Sequence, residues 1–259
     1  EGRVLVNAGD DDKVTLNLKG VSITCSTNSP ILVYNADKVI VNVAEGTSNK
    51  LVDKRGTSDG TSIDSDDPLT FTGKAALLAK CDLTVKGKGE LTIEGNYYDG
   101  IRSTKDLSVK NAQLNITAVN NALRGNDSVD IESGTLKLIS KGGNGIKTTD
   151  SDVSSKGNQR GTITISGGDI SIYAACDGLD AAYNVEISGE ANIQIYTDSY
   201  SSYTDTSLVE TGTDFYLLLG NSQYSSSRTY AAYFYNTGSE DAGKWVTASY
   251  YSQVYGRTT

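Results

Sequence analysis

DLTVKGKGELTIE, residues 82–94, holds two short alternations of apolar and polar residues, Leu83-x-Val85 and Leu91-x-Ile93, separated by a glycine-bearing turn. The pattern returns as DLSVKNAQLNITA at 106–118, SVDIESGTLKLIS at 128–140, TITISGGDISIYA at 162–174 and NVEISGEANIQIY at 184–196. Alternation at period two marks a half-buried strand. The leading apolar positions Leu83, Leu107, Val129, Ile163 and Val185 advance by 24, 22, 34 and 22 residues, so one step carries an insertion, near Asp150 to Gly161. A fixed period in this range signals a repeat architecture. Coils of two or three short strands, stacked at about 4.8 Å, describe a parallel β-helix, because no single coil can bury its own apolar face.

Working outward, Val14-x-Leu16-x-Leu18, Val21-x-Ile23 and Val39-x-Val41-x-Val43 fit earlier coils with looser spacing. Residues 46–70, polar and rich in Gly, Ser and Asp, read as a long surface insertion. The whole of 1–259 is then one domain, with residues 200–259 a Tyr/Ser-rich last coil or cap over an otherwise open strand edge. A β-sandwich or barrel is the rival, but it predicts no residue register between repeats.

The chain of 259 residues has a net charge of −9, which argues against nucleic acid and anionic membrane surfaces as partners. No apolar run approaches the roughly 18–20 residues of a membrane span, so no membrane insertion is expected, and nothing at Glu1 resembles a signal peptide. There is no histidine, which removes Ser-His-Asp triads, Cys-His pairs, imidazole-bound zinc and a histidine base. Cys25, Cys81 and Cys176 are odd in number and far apart, and read as buried small hydrophobes. The chemistry left is that of oxygen, with a few Lys and Arg.

Six residues before each leading strand stands another apolar position: Val33, Leu77, Ile101, Leu123 and Leu179, with Ile146 equivalent across the insertion. Two residues earlier lies a column Ile31, Ala75, Asp99, Asn121, Asn144, Asp177, and just after the apolar position a column Tyr34, Leu78, Arg102, Arg124, Lys147, Asp180. Both change from apolar to polar partway along. Two readings of the first column stand. Asn121 and Asn144 can form a ladder bonding the backbone of neighbouring coils. Alternatively, the oxygens can hold Ca²⁺, which takes six to eight of them from carboxylates, amides and carbonyls. Asp177 and Asp180 would then converge across a glycine turn, with Asp150 and Asp152 reaching over from the insertion. Buried carboxylates at Asp99 and Asp177 need some compensating charge in either case.

Arg102, Arg124 and Lys147 either pair with neighbouring carboxylates or form a contact line for sugar hydroxyls and uronic carboxylates, which the Arg fork grips in bidentate fashion. Of 16 Tyr, 13 lie from Tyr173 onward, which suits either a cap or stacking on sugar rings. Tyr97 and Tyr98, directly before Asp99, and Tyr183 are the aromatic candidates for glycan contact.

YYDGIRSTKDLSV, NNALRGNDSVDIESG, GGNGIKTTD and GTITISGGDISIYAACDGLDAAYNVEISG together resemble a secreted carbohydrate-binding β-helix family of cellulolytic clostridia and related bacteria. The resemblance covers about residues 70–200. It implies a right-handed parallel β-helix similar to pectate and other polysaccharide lyases. It also implies bound calcium and adhesion to plant cell-wall polysaccharide, cellulose-like β-1,4-glucan first and pectic polymers second. The location implied is extracellular or cell-surface, with export signals upstream of Glu1. Carried over, the calcium positions are Asp99, Asn121, Asn144, Asp177 and Asp180; no catalytic residue is carried over.

The expected function is thus non-catalytic, calcium-binding adhesion to polysaccharide by a monomer. The alternatives are a calcium-dependent lyase, with Arg124 or Lys147 as base, and a purely structural surface adhesin. A hydrolase would need two carboxylates facing each other roughly 5–10 Å apart, and the sequence offers no such pair.

Overall fold

The computed structural model describes residues 1–57, 62–197 and 209–211. Among these the chain is all-β, with no helix, and its strands come three to a rung. The first rungs are β1 (Val4–Asn7), β2 (Lys13–Leu18), β3 (Ser22–Cys25), then β4 (Ile31–Asn35), β5 (Lys38–Val43), β6 (Ser48–Asp53). After the loop come β7 (Ala75–Ala79), β8 (Asp82–Lys86), β9 (Glu90–Gly95), then β10 (Asp99–Ser103), β11 (Asp106–Lys110), β12 (Ala112–Ala118). The fifth rung is β13 (Leu123–Gly125), β14 (Ser128–Ile131), β15 (Gly134–Ser140). In later rungs the second and third strands fuse: β16 (Ile146–Lys147) with β17 (Thr162–Ala174), β18 (Leu179–Ala181) with β19 (Asn184–Thr197), then β20 (Val209–Thr211).

Every paired strand is parallel to its partner one rung away. The first strands form one sheet in the order β1-β4-β7-β10-β13-β16-β18-β20. The second and third strands form the other sheet, joined through β17, to which β19 also pairs. Leu83, Leu107, Val129, Ile163 and Val185 pair in one column, as their spacing requires, and Val14 and Val39 extend it toward the N-terminus. Leu91, Leu114, Leu136, Ile170 and Ile193 form a second column. All ten are essentially inaccessible to solvent. Burying each such side chain is worth roughly 1.5–3 kcal/mol, gained only when a neighbouring rung covers it. The tight corner after β8 fixes one glycine: Gly87 has φ +110°, and a Cβ there would lie 2.2 Å from the Val43 carbonyl oxygen. Cys25 and Cys81 are buried free thiols, and burial pushes the Cys81 pKa up to about 11.

Two expectations are corrected. Ser48–Asp53, inside the stretch read as insertion, is strand β6, paired with β3 and β9. Its inward positions are Asn49, Leu51 and Asp53, two of them polar, which is why the alternation is hidden. The register of the second rung also shifts by two. Ile31, not Val33, pairs with Leu77, and Leu32, not Tyr34, pairs with Leu78.

Candidate functional site

The turn column is an amide ladder. Asp99 Oδ1 accepts from the Asn121 backbone N (3.0 Å), from Asn121 Nδ2 (2.8 Å) and from Asn120 Nδ2 (3.0 Å). Asn121 Oδ1 in turn accepts from Asn144 N (3.1 Å), and Asn144 Oδ1 from Asp177 N (2.9 Å). Each side chain therefore satisfies the backbone N–H of the next rung, where no strand yet supplies a partner. In the second rung Asn28 takes over this role, its Oδ1 accepting from Gly73 N at 3.0 Å, while Ser29, wholly buried, donates to the Ala75 carbonyl oxygen at 2.5 Å. The ladder reading of Asn121 and Asn144 accounts for every one of these contacts.

Asp99 is the exception in charge. It is fully inaccessible, and its second oxygen has no hydrogen-bond partner. Burial pushes its carboxyl above the ordinary carboxylate value, against the opposing pull of Arg124, Arg102 and the Asn121 hydrogen bonds.

The outward column next to the ladder reads, from pairing, Leu5, Leu32, Leu78, Arg102, Arg124, Lys147, Asp180, Glu210. Its apolar part is covered. Phe71, on the loop between β6 and β7, packs on the cluster of Leu32, Ala75 and Leu78 together with Leu5. Tyr34 meets Phe71 edge-on at 5.5 Å and donates to the Ser65 carbonyl oxygen at 2.8 Å, which ties the loop down. Where the loop ends, the column turns cationic.

The three cations differ in their surroundings. Lys147 pairs with the Asp180 carboxylate, which also accepts from Asn144 Nδ2 at 2.6 Å. Arg124 Nε donates to Asn126 Oδ1 at 3.1 Å. Among the described residues neither Arg124 nor Arg102 has a carboxylate within ion-pair distance, and Arg102 Nε is buried without a hydrogen-bond acceptor. Burial, and after it the Arg124 charge, draw Arg102 below the usual guanidinium value. A direct ion pair thus explains Lys147, whereas the two arginines have only the more distant charge of buried Asp99 to balance them both.

Of the aromatic candidates, Tyr97 is corrected. It is 9% exposed, with the Arg55 guanidinium 4.3 Å over its ring, so it is a packing residue rather than an open sugar platform. Arg55 also forks onto Asp53, Nε to Oδ1 at 2.9 Å and Nη2 to Oδ2 at 2.6 Å. This buried ion pair escaped the sequence reading because both partners sat in the supposed insertion. Tyr98 is half-buried with Lys74 Nζ 5.7 Å from its ring, and Tyr183 is half-buried between β18 and β19, its backbone N donating to the Gly161 carbonyl oxygen at 3.0 Å.

The acidic candidates do not gather. Asp152 forks onto Arg160 at 2.9 and 3.1 Å, and Arg160 Nε lies 3.0 Å from Asp127, at ion-pair distance though off a hydrogen-bonding line. Asp150 accepts from Thr149 Oγ1 at 3.2 Å. Among the described residues no three His, Cys, Asp or Glu side chains stand together as a metal cage. Asp99 Oδ1, Asn121 Oδ1 and Asn144 Oδ1 are occupied by N–H donors, and Asp99 Oδ2, without a hydrogen-bond partner, is a single enclosed oxygen, so this part of the ladder fits calcium poorly as it stands. Asp177 and Asp180 stand three residues apart at the acidic end of the ladder, Asp180 on β18.

Fold and site together define an all-β protein of parallel rungs that presents a line of arginines on one sheet. The chain belongs to the family of carbohydrate-binding domain-containing proteins, whose family model matches residues 1–232. It is 32% identical over 118 residues to a carbohydrate-binding domain-containing protein of Acetivibrio thermocellus, an overlap of 46% of this chain and 39% of that relative. The chain thus spans about two-fifths of that relative's length. In structure it is similar to the polysaccharide lyase-like protein from C. thermocellum, solved as a gadolinium derivative, with a TM-score of 0.70 and 29% identity. That match covers 84% of this chain and 80% of the other.

Proposed function

We propose that this protein is a non-catalytic adhesin for plant cell-wall polysaccharide, with cellulose-like β-1,4-glucan as the main ligand and polygalacturonate as a second. The observation that carries this is the adjacent pair Arg102 and Arg124, paired in register on β10 and β13, with no carboxylate within ion-pair distance among the described residues and the charge of buried Asp99 felt only from behind the sheet. Parallel strands hold the two guanidinium groups at a repeat of roughly 4.8 Å, which suits a ligand that is itself a repeat. Arg forks bind sugar hydroxyls and carboxylates through several N–H groups at once. Ladders in which each strand pairs one rung on, always parallel, support coiling as a right-handed parallel β-helix, the hand that parallel crossovers take. The proposal places a monomer outside the cell or on its surface, where insoluble glycan is met.

Calcium is part of the proposal at the Asp177 and Asp180 end only. The support is chemical, two carboxylates and an amide oxygen of the kind a hard cation takes. A bound ion there would compete with Lys147 for Asp180, which frees a third cation for glycan. A second reading, a polysaccharide lyase, draws on one observation: burial beside Arg124 lowers the Arg102 pKa, as a base for proton abstraction requires. Against it, the nearest carboxylate, Asp99, is shut away from any ligand.

Retention on insoluble cellulose and on polygalacturonate, with and without chelator, tests adhesion; no retention on either overturns it. Absorbance of unsaturated product during incubation with polygalacturonate and Ca²⁺ would establish the lyase instead. If thermal melting is the same with Ca²⁺ and with chelator, the calcium site is absent.

A further inference from the structure

Where the covering loop meets the arginine line, a hollow of about 470 Å³ opens between the loop and the β7–β10 face. Its walls include Lys74, Lys80 and Arg102, together with Phe71, Leu78 and the single acid Asp64. Three cations line one depression, and among the described residues none of them has a carboxylate within ion-pair distance. Aromatic rings flank two of them: Lys80 Nζ lies 4.2 Å over the Tyr34 ring and 4.7 Å over Phe71, and Lys74, itself exposed, has its Nζ 5.7 Å over Tyr98. The aromatic faces favour the cations without neutralising them. Mutual repulsion of like charges in a sheltered hollow is relieved by a bound anion.

We propose that this hollow is a subsite for one hexuronate unit of an acidic polysaccharide. Arg102, Lys74 and Lys80 would take the carboxylate, and Phe71 and Leu78 the carbon–hydrogen face of the ring. The size lies within the range of small-ligand sites, and the pairing of an apolar wall with convergent cations matches a charged sugar better than a bare inorganic anion. Arg102 belongs to both the hollow and the arginine line, so a polymer lying along Arg124 and Arg102 runs into the hollow. The inference rests on the glycan-adhesion reading and sharpens it, since it assigns the acidic unit to one place and leaves neutral glucan to the open face.

Calorimetric titration with trigalacturonate, cellotriose and inorganic phosphate, on wild type and on Lys74→Gln with Lys80→Gln, tests it. Trigalacturonate should bind the wild type and weaken by about tenfold or more in the double variant, the scale of losing charge-assisted contacts. Cellotriose binding should not change, and phosphate at equal concentration should not displace trigalacturonate. Because Lys80 also packs on two rings, Thr104→Glu serves as a second variant: it adds a negative charge at the hollow's wall and leaves those rings untouched. Melting curves establish that each variant is folded. Undiminished trigalacturonate binding in either folded variant, or full displacement by phosphate, overturns the subsite. If wild type is retained on cellulose but does not bind trigalacturonate, the subsite fails and adhesion stands. If wild type is retained on no polysaccharide yet trigalacturonate binds in a Lys74/Lys80-dependent way, adhesion fails and the subsite stands.

Discussion

The same outward column carries leucines in its first rungs and cations in its middle ones, and the two halves differ in what lies over them. Leu32 and Leu78 are buried under Phe71 from the loop and Leu5 is half-buried beside them, whereas Arg102 stands at the loop's edge and Arg124 one rung beyond it. The backbone is equivalent in both halves, since pairing continues in register from β7 to β10 and β13. What changes is the solvent. A column of identical geometry is core where a loop covers it and a ligand face where none does, so polarity along a repeat column reports cover as much as chemistry.

Four substitutions can break or sharpen that comparison. The largest effect belongs to the covered half: Arg55→Ala should cost about 3–5 kcal/mol, because it removes the guanidinium that balances the charge of the wholly buried Asp53. Urea unfolding measures it, and a loss below about 1 kcal/mol would mean the pair adds little. Next, Asn144→Ala removes the acceptor for Asp177 N and the donor to Asp180, at about 1–3 kcal/mol. A matching loss at Lys147 would be needed to blame the ion pair instead.

Asp99→Asn acts through pH. The folded carboxyl titrates above its unfolded value, so its contribution is fully present below the ordinary aspartate pKa and is lost as pH rises through the folded value. Melting temperature measured from acid toward neutral pH should therefore fall less in Asp99→Asn than in wild type. Parallel curves would show that Asp99 is not the titrating group. The smallest change in stability is expected at Arg124→Gln, about 1 kcal/mol, because the part-exposed side chain gives up one hydrogen bond, to Asn126, and part of the charge balance of buried Asp99. The same variant should weaken retention on acidic polysaccharide by about tenfold, more at low than at high salt. Equal retention would remove the arginine line from the site.

The later rungs are legible in the sequence because their inward positions are uniformly aliphatic: Leu107, Val129 and Ile163 announce their own register. The second rung is not, since Asn49 and Asp53 face inward on the strength of partners remote in sequence. Asn49 Oδ1 accepts from Gly20 N and Val21 N, each at 2.9 Å, and Asp53 needs Arg55. The two-residue slip at Ile31 has a similar origin. Asn28 and Ser29 fill the turn through bonds to Phe71, Gly73 and Ala75, contacts that the local pattern does not contain. The arginine line could be read from NALR and DGIR, because register alone aligns those residues. The hollow could not, because it depends on a loop folding back to a face that the chain reaches only later.

In the amide ladder each member bonds only to the rung beside it, Asp99 to Asn121, Asn121 to Asn144, Asn144 to Asp177. Such a rung is a module: one more copy of the 121–143 segment, whose Asn121 offers its backbone N–H to the rung before and accepts one from the rung after, could be spliced in with the backbone bonds of the ladder matched. Each splice would carry an arginine of its own, so gene duplication could tune grip on a polymer in steps of one guanidinium, without redesigning either end of the molecule.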